Sequence, residues 1–398
     1  MLIALAFNIC MVLLPVSGAM ALLIVARDHL YDYEYSEAGA PAIRARIERL
    51  NGDLIQLDFD RLRQWDDLVA LELMGDDVEA ARGFLLSGGG MLPDRMAGLL
   101  NRSDNDAERE AAALELLSPG TRSRYESIVP LLSRRSASGT PEQRVRQAVN
   151  LGDAQDFELM ARALLTEPET DGLQFILTGI GLGLAGEPDG RLMQGAAAVL
   201  VASRRPDYPV GLQSDIADIL NAAVPIDDFR TAALASAEGE AAGNYANAAA
   251  AFTAAVDSEA MDRARAMLHE IGAMAQAISV SAAADLMMHA GSARDLPRLR
   301  LLAQSAGDRA AAAAKRLPRD GRLLAAARGD LTMNRDLMIA LGATLLALLG
   351  LIAIVAWKIY QAARPLWIGA YGEADDEDDY GSELVDLGGI GANNWRPL

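Results

Sequence analysis

Two runs without a single charged side chain, Met1–Ala26 and Leu337–Trp357, constrain this chain more than any other feature. At about 1.5 Å per residue, either run is long enough to cross the hydrocarbon layer of a bilayer as a helix. The second is bounded by Arg335-Asp336 and Lys358. A cleaved secretory leader needs a basic start, a shorter apolar core and a small-residue cleavage site. Here the first basic side chain is Arg27, so the run is expected to stay in place as an uncleaved span. Cys10, the only cysteine, follows Phe7-Asn8-Ile9 and lacks the small residue that precedes a lipoprotein acceptor cysteine. It is expected to face lipid or a neighbouring helix.

The chain therefore divides into transmembrane helix 1–26, a connecting segment with an amphipathic helix 27–57, an all-α domain 58–336, transmembrane helix 337–357, and a disordered acidic tail 358–398. Two spans put both termini on one side of an inner membrane. Arg27, Arg322, Arg328 and Arg335 flank the spans on the domain side, against Lys358, Arg364 and the α-amino group on the other. Charges this closely balanced do not set an orientation. The expectation of a periplasmic domain and cytoplasmic termini rests on the usual arrangement of bacterial two-span proteins. Tyr31, Tyr33 and Tyr35, and Trp357 and Tyr360, are placed to sit at headgroup level.

Half the residues are hydrophobic (51%), yet the net charge is −19, so apolar and charged residues are segregated along the chain. Such an acidic balance excludes nonspecific nucleic-acid binding, which needs a basic surface. A lone cysteine excludes an internal disulfide framework and a multi-cysteine metal site.

Between the runs, Ala, Leu, Arg and Glu dominate, and alternating strand patterns do not recur. Ile47, Leu50 and Leu54, and Leu62, Trp65, Val69 and Leu73, stand at helical spacing. Gly75-Asp76, Ser118-Pro119, Thr140-Pro141, Gly152-Asp153, Glu167-Pro168 and Gly307-Asp308 punctuate the helices. The spacing predicts an all-α domain of many short helices, built either as an α-solenoid of repeats or as an irregular bundle.

Within it, Gly243-Asn-Tyr245-Ala-Asn-Ala248-Ala-Ala-Ala-Phe252-Thr-Ala-Ala255 resembles the second helix of a tetratricopeptide repeat. Gly75-Asp-Asp-Val-Glu-Ala80-Ala-Arg-Gly-Phe84 is similar but lacks the Tyr. The preceding segments, 61–74 and 229–242, lack the family's Trp, Leu-Gly and Tyr; Ala260 stands where a closing Pro belongs, and Pro93 comes one position late. The resemblance covers about a quarter of the domain. It implies stacked hairpins that present a surface to protein partners, with Ala80 and Ala248 letting helices approach while Phe84, Tyr245 and Phe252 fill the gaps between them.

Most motifs that look chemical lack a necessary part. Gly181-x-Gly183-x-x-Gly186, after the apolar run Leu173–Gly179, resembles the nucleotide-binding opening of short-chain dehydrogenases. A dinucleotide site needs a helix starting at those glycines, and Pro188 and Gly190 would interrupt it. A Tyr-x-x-x-Lys is absent as well, because Ala311 and Ile354 precede the only lysines, Lys315 and Lys358, by four. These glycines are expected to permit close packing of a buried helix. Ser87–Pro93 lacks the Lys-Ser/Thr of a phosphate loop, and His29, His269 and His289 lack the spacing of a metal pair. No cofactor is expected, and no catalytic residue is nominated.

The tail carries Glu373-Ala-Asp-Asp-Glu-Asp-Asp379, a block of like charge that repels itself. Beyond it, Leu384, Leu387 and Trp395 are candidates for a short docking peptide. The expected function is a membrane-anchored scaffold for other proteins in the cell envelope. The alternatives are a non-catalytic subunit of a multi-span complex, with Ser17 and Ala21, and Ala343 and Ala347, at helix-packing spacing, or an envelope hydrolase with a carboxylate site.

Overall fold

The computed structural model describes residues 31–372 apart from 57, 139, 141–142, 144, 146–147, 168–169, 171, 187–188, 236–244 and 332–334, together with Val16, Ala19 and Met20. Regular structure among the described residues is helical except for one two-stranded ladder. Residues 31–331 form one unit, and the segments outside it form another.

The 31–331 unit begins with strand β1 (Tyr31–Asp32), helix α1 (Ala40–Gly52) and a hairpin of α2 (Arg61–Met74) and α3 (Val78–Leu86). Then follow α4 (Gly88–Met91), α5 (Asp94–Leu100), α6 (Asp106–Leu114) and α7 (Pro119–Ser138). The middle of the chain supplies α8 (Ala154–Thr166), α9 (Gly172–Gly181), α10 (Gly190–Ser203), α11 (Val210–Ala223), α12 (Ile226–Ala235) and α13 (Tyr245–Ala255). The last part holds α14 (Ser258–Ala277), α15 (Val280–Met287), α16 (Leu296–Ala306), α17 (Asp308–Arg316), α18 (Arg322–Ala326) and strand β2 (Asp330–Leu331).

Two of the Gly-Asp breaks lead into side-chain N-caps, whereas α17 starts after Gly307 without one. Asp77 accepts from the Ala80 amide and starts α3; Asp153 and Asp156 form a reciprocal capping box on α8. A side chain of this kind satisfies donors that the first helical turn leaves open.

Two hydrophobic cores result. One gathers Trp65, Val69, Leu73, Phe84, Leu85 and Met91 around the α2–α3 hairpin. The larger one runs through α8 to α18 and includes Ile43 and Ile47 of α1. Helix α17 joins them: Ala312 belongs to the first, and Ala310, Ala313 and Ala314 to the second. Its alanines let it lie close to α3, where a Cβ on Gly83 would stand 1.9 Å from the Asp308 carbonyl oxygen. Only a residue without a Cβ permits that approach.

The sequence places 27–57 before the domain. In the structure α1 is part of it, with Ile43, Ile47 and Asn51 buried and α16 and α17 packed on it. Its apolar stripe signals burial, but the helices that cover it come from the far end of the chain. The two ends of the unit meet directly: β1 and β2 pair antiparallel, Tyr31 with Leu331 and Asp32 with Asp330. Paired residues of such a ladder are about 5 Å apart.

In the other unit, α19 (Arg335–Gly372) is a 38-residue helix. Its stretch Leu341–Ala363 is long and apolar enough to cross a membrane, the one such helix among the described residues. It continues past Trp357, where the sequence ends the span, through Lys358 and on to Gly372. A single lysine does not break a helix, because its unbranched side chain makes it a good helix former. The first apolar run, 1–26, lies outside the described residues except at Val16, Ala19 and Met20, and so does the tail beyond 372 with Leu384, Leu387 and Trp395.

Candidate functional site

The turn between α2 and α3 is built by Gly75-Asp76-Asp77, and Asp76 adopts a left-handed φ of 55°. Aspartate tolerates that conformation better than most residues do. The turn, α15 and Lys315 of α17 line a polar cavity of about 390 Å³, into which Asp76, Asp77, Glu79, Asp285, Arg205 and Lys315 converge. Two of the four carboxylates hold cations: Asp77 pairs with Lys315, and Asp285 with Arg205. Lys315 also reaches Glu72 at 2.9 Å, and Glu72 binds Arg316 as well. Burial pushes the Glu79 carboxyl above its usual range, and the charges of Asp77 and Asp308 add to the effect. Such a site can hold a small polar ligand on fixed cations beside a carboxyl that keeps its proton to higher pH, which is what a general acid requires.

A largely buried ionic network centres on the N-terminal end of α17. Arg309, only 1% exposed, donates from Nε to Glu48 at 2.9 Å and from both Nη atoms to Asp106 at 3.0 and 2.7 Å. Arg109 shares the same Glu48 oxygen at 2.9 Å. Asn51 donates to the Ser87 hydroxyl at 2.8 Å and to the Arg309 carbonyl at 3.2 Å. Arg82 bridges Glu110 at 2.9 Å and Asp308 at 2.8 Å. These bonds tie α1, α3 and α6 to α17.

A second cavity, of about 340 Å³, is lined by Arg46, Arg49, Arg322 and Arg328, with Asp53 as its one carboxylate and Leu50, Ala325 and Ala326 as its apolar wall. Arg46 donates to the Ala326 carbonyl at 3.3 Å and Arg49 to the Ala45 carbonyl at 3.2 Å.

The residues expected to pack repeats fall into both cores. Ala80 and Phe84 are buried in α3, and the Trp65 indole N–H donates to the Phe84 carbonyl at 2.8 Å. Ala248 and Phe252 are buried in α13, beside half-buried Tyr245. Phe252 lies 5.6 Å from Phe157 and 5.5 Å from Phe175, both edge to face, and Phe175 lies 4.6 Å from Phe229. The two sets of residues do not share an interface.

The glycine-rich run is helical through Gly181, so a helix precedes the glycines where a nucleotide fold places a strand. A Cβ on Gly179 would stand 2.5 Å from the Phe252 ring, so that glycine makes room for the aromatic cluster. His289 is buried, its Nε2 2.7 Å from the Ala314 carbonyl oxygen, and burial lowers its pKa. His269 lies 3.6 Å from Asp189, and His29 is outside the described residues.

Sequence reasoning missed the Arg309 network and both cavities, because their parts come from segments far apart in the chain. One signal was present: the run Ala310–Ala314 marks a helix packed closely on all sides, where a neighbouring arginine must find carboxylates. Comparison with protein-family models, with curated proteins and with solved structures finds no match.

Proposed function

We propose that the chain is a membrane-anchored helical scaffold whose 31–331 domain engages other proteins at the surface of a bilayer. The β1–β2 ladder carries this reading. It brings both ends of the domain to one point, four residues in the chain before α19 begins. A domain inserted this way is held at a single attachment site while its outer helical faces stay free for partners. Leu159, Val210 and Leu234 are large apolar side chains exposed on those faces.

Of the two forms of all-α domain, we favour the irregular bundle over stacked repeats. In a solenoid each hairpin touches only its neighbours. Here α3 packs on α17 and α1 on α16, so helices from both ends of the 31–331 unit pack against each other. We place the scaffold in a bacterial inner membrane as a two-span protein, with the domain periplasmic, the termini cytoplasmic and the acidic tail free to dock.

The carboxylates around Glu79 favour a second reading, an envelope hydrolase with that residue as general acid. Site-specific photocrosslinking in native membranes separates the two. From Leu159 and Val210 of the full chain, the scaffold gives discrete protein adducts that Glu79→Gln leaves intact. Absence of adducts from every exposed position would overturn it, as would a hydrolytic activity of the purified chain that Glu79→Gln abolishes.

A further inference from the structure

In a chain with 55 acidic and 36 basic residues, an arginine readily finds a carboxylate. Arg82, Arg109, Arg205, Arg309, Arg316 and Arg319 all do. The cavity formed by α1 and α18 departs from that pattern. Four arginines line it against one carboxylate, and Asp53 is 3.9 Å from Arg322, at the limit of an ion pair. Arg322 is otherwise held by Asp320 at 2.7 Å. Among the described residues, Arg46 and Arg49 are fixed only by backbone carbonyls, and the side chain of Arg328 takes no partner. The guanidinium forks of Arg46 and Arg49, bonded to neutral groups, keep their charge unpaired beside the cavity, and the ligand that satisfies such forks is a phosphate or carboxylate.

Connectivity narrows the choice. Arg322 and Arg328 belong to the last stretch of the domain before β2, and Arg328 precedes the start of the membrane-length helix at Arg335 by seven residues in the chain. A domain tethered so closely to a bilayer meets lipid headgroups at high effective concentration. Leu50, Ala325 and Ala326 provide an apolar wall beside the arginines, as an amphiphile requires and a free inorganic anion does not. We propose that this cavity binds the phosphate headgroup of an anionic phospholipid of the membrane that holds the chain. The proposal rests on the membrane anchoring argued above.

The test uses the full chain incorporated into vesicles of phosphatidylcholine mixed with phosphatidylglycerol, followed by flotation and by native mass spectrometry of the lipid retained after gentle extraction. Wild-type chain floats and retains phosphatidylglycerol in preference to phosphatidylcholine. Arg49→Gln and Arg328→Gln, both at exposed positions, each lower that preference about fivefold, whereas Arg122→Gln on α7 leaves it unchanged. Helical circular dichroism identical to wild type excludes misfolding as the cause. Floating chain with no preference, or with a preference indifferent to Arg49 and Arg328, overturns the headgroup site alone. Failure to float overturns the anchoring and this proposal with it. Inorganic phosphate bound by the detergent-solubilised chain with the same arginine dependence, without any phosphatidylglycerol preference, would assign the cavity to a soluble anion instead.

Discussion

Arg309 and Asp106 meet fork to fork, in two parallel hydrogen bonds of 3.0 and 2.7 Å between residues 203 apart in the chain. The same guanidinium holds Glu48. One side chain of α17 thus clamps α1 and α6, joining the last part of the domain to the first. Removing one member of a buried ion pair costs more than the pair itself contributes, because the remaining charge stays desolvated.

Arg309→Ala is expected to destabilise the chain by roughly 3–5 kcal/mol in urea melts. Arg309→Lys should recover only part of that loss, since a single ammonium cannot reproduce the planar fork. Full recovery with lysine would show that charge alone, and not bidentate geometry, holds the helices.

The same pair sets an acid limit. Burial alone would raise the Asp106 carboxyl, yet Arg309 holds it below its ordinary 3.8. A carboxyl depressed in the folded state contributes fully above its unfolded pKa, and the contribution fades as pH falls through the folded value. Asp106→Asn should therefore be less stable than wild type at neutral pH, and the gap should close below about pH 3.8. A gap that stays constant from neutral to acid pH would remove Asp106 from the account.

Glu79 has the opposite sign. Its folded pKa is raised, so the stability tied to its proton is complete below the ordinary value of 4.5 and is lost as pH rises through the folded value. Glu79→Gln, which cannot ionise, should match wild type at low pH and exceed it progressively as pH rises. Paired denaturation curves across that range measure it. Equal stability at neutral pH would mean that the carboxyl is solvated.

Phe252 fills the space left by Gly179, and Phe84 packs against the core around Trp65. Both are fully buried, so Phe252→Ala and Phe84→Ala should each cost roughly 3–5 kcal/mol. Changes below about 1 kcal/mol, typical of surface positions, would contradict the packing at these sites.

Orientation is read by cysteine labelling in a Cys10→Ser background, with single cysteines at Ser138 and Ser382. After outer-membrane permeabilisation, an impermeant thiol reagent should modify position 138 and spare 382. The reverse pattern would place the domain in the cytoplasm.

Much of the fold class was legible. The spacing of Trp65, Val69 and Leu73 marks the buried face of α2, and Gly75-Asp76 and Gly152-Asp153 mark helix starts, because caps and amphipathic stripes are local properties. Phe84 and Phe252 are both buried in the structure. The aromatic cluster around Phe252 was not legible, since Phe157 and Phe175, and Phe229 behind Phe175, come from three further helices and share no sequence period with it. Where α19 ends was also obscured, because Lys358 looks like a boundary in sequence while its backbone simply continues the helix.

What the sequence determined by itself is the class of object: an acidic, all-helical domain beside an apolar stretch long enough to cross a bilayer. Those properties depend on hydrophobicity and propensity summed over neighbouring residues. The tertiary structure alone decided that α1 and α17 share a core, that Tyr31 meets Leu331, and that arginines from residues 46–49 and 322–328 surround one cavity. Each depends on which distant helices pack together. That choice is set by shape at positions such as Gly83 and by the few carboxylates able to satisfy a buried Arg309, neither of which leaves a periodic trace in the chain.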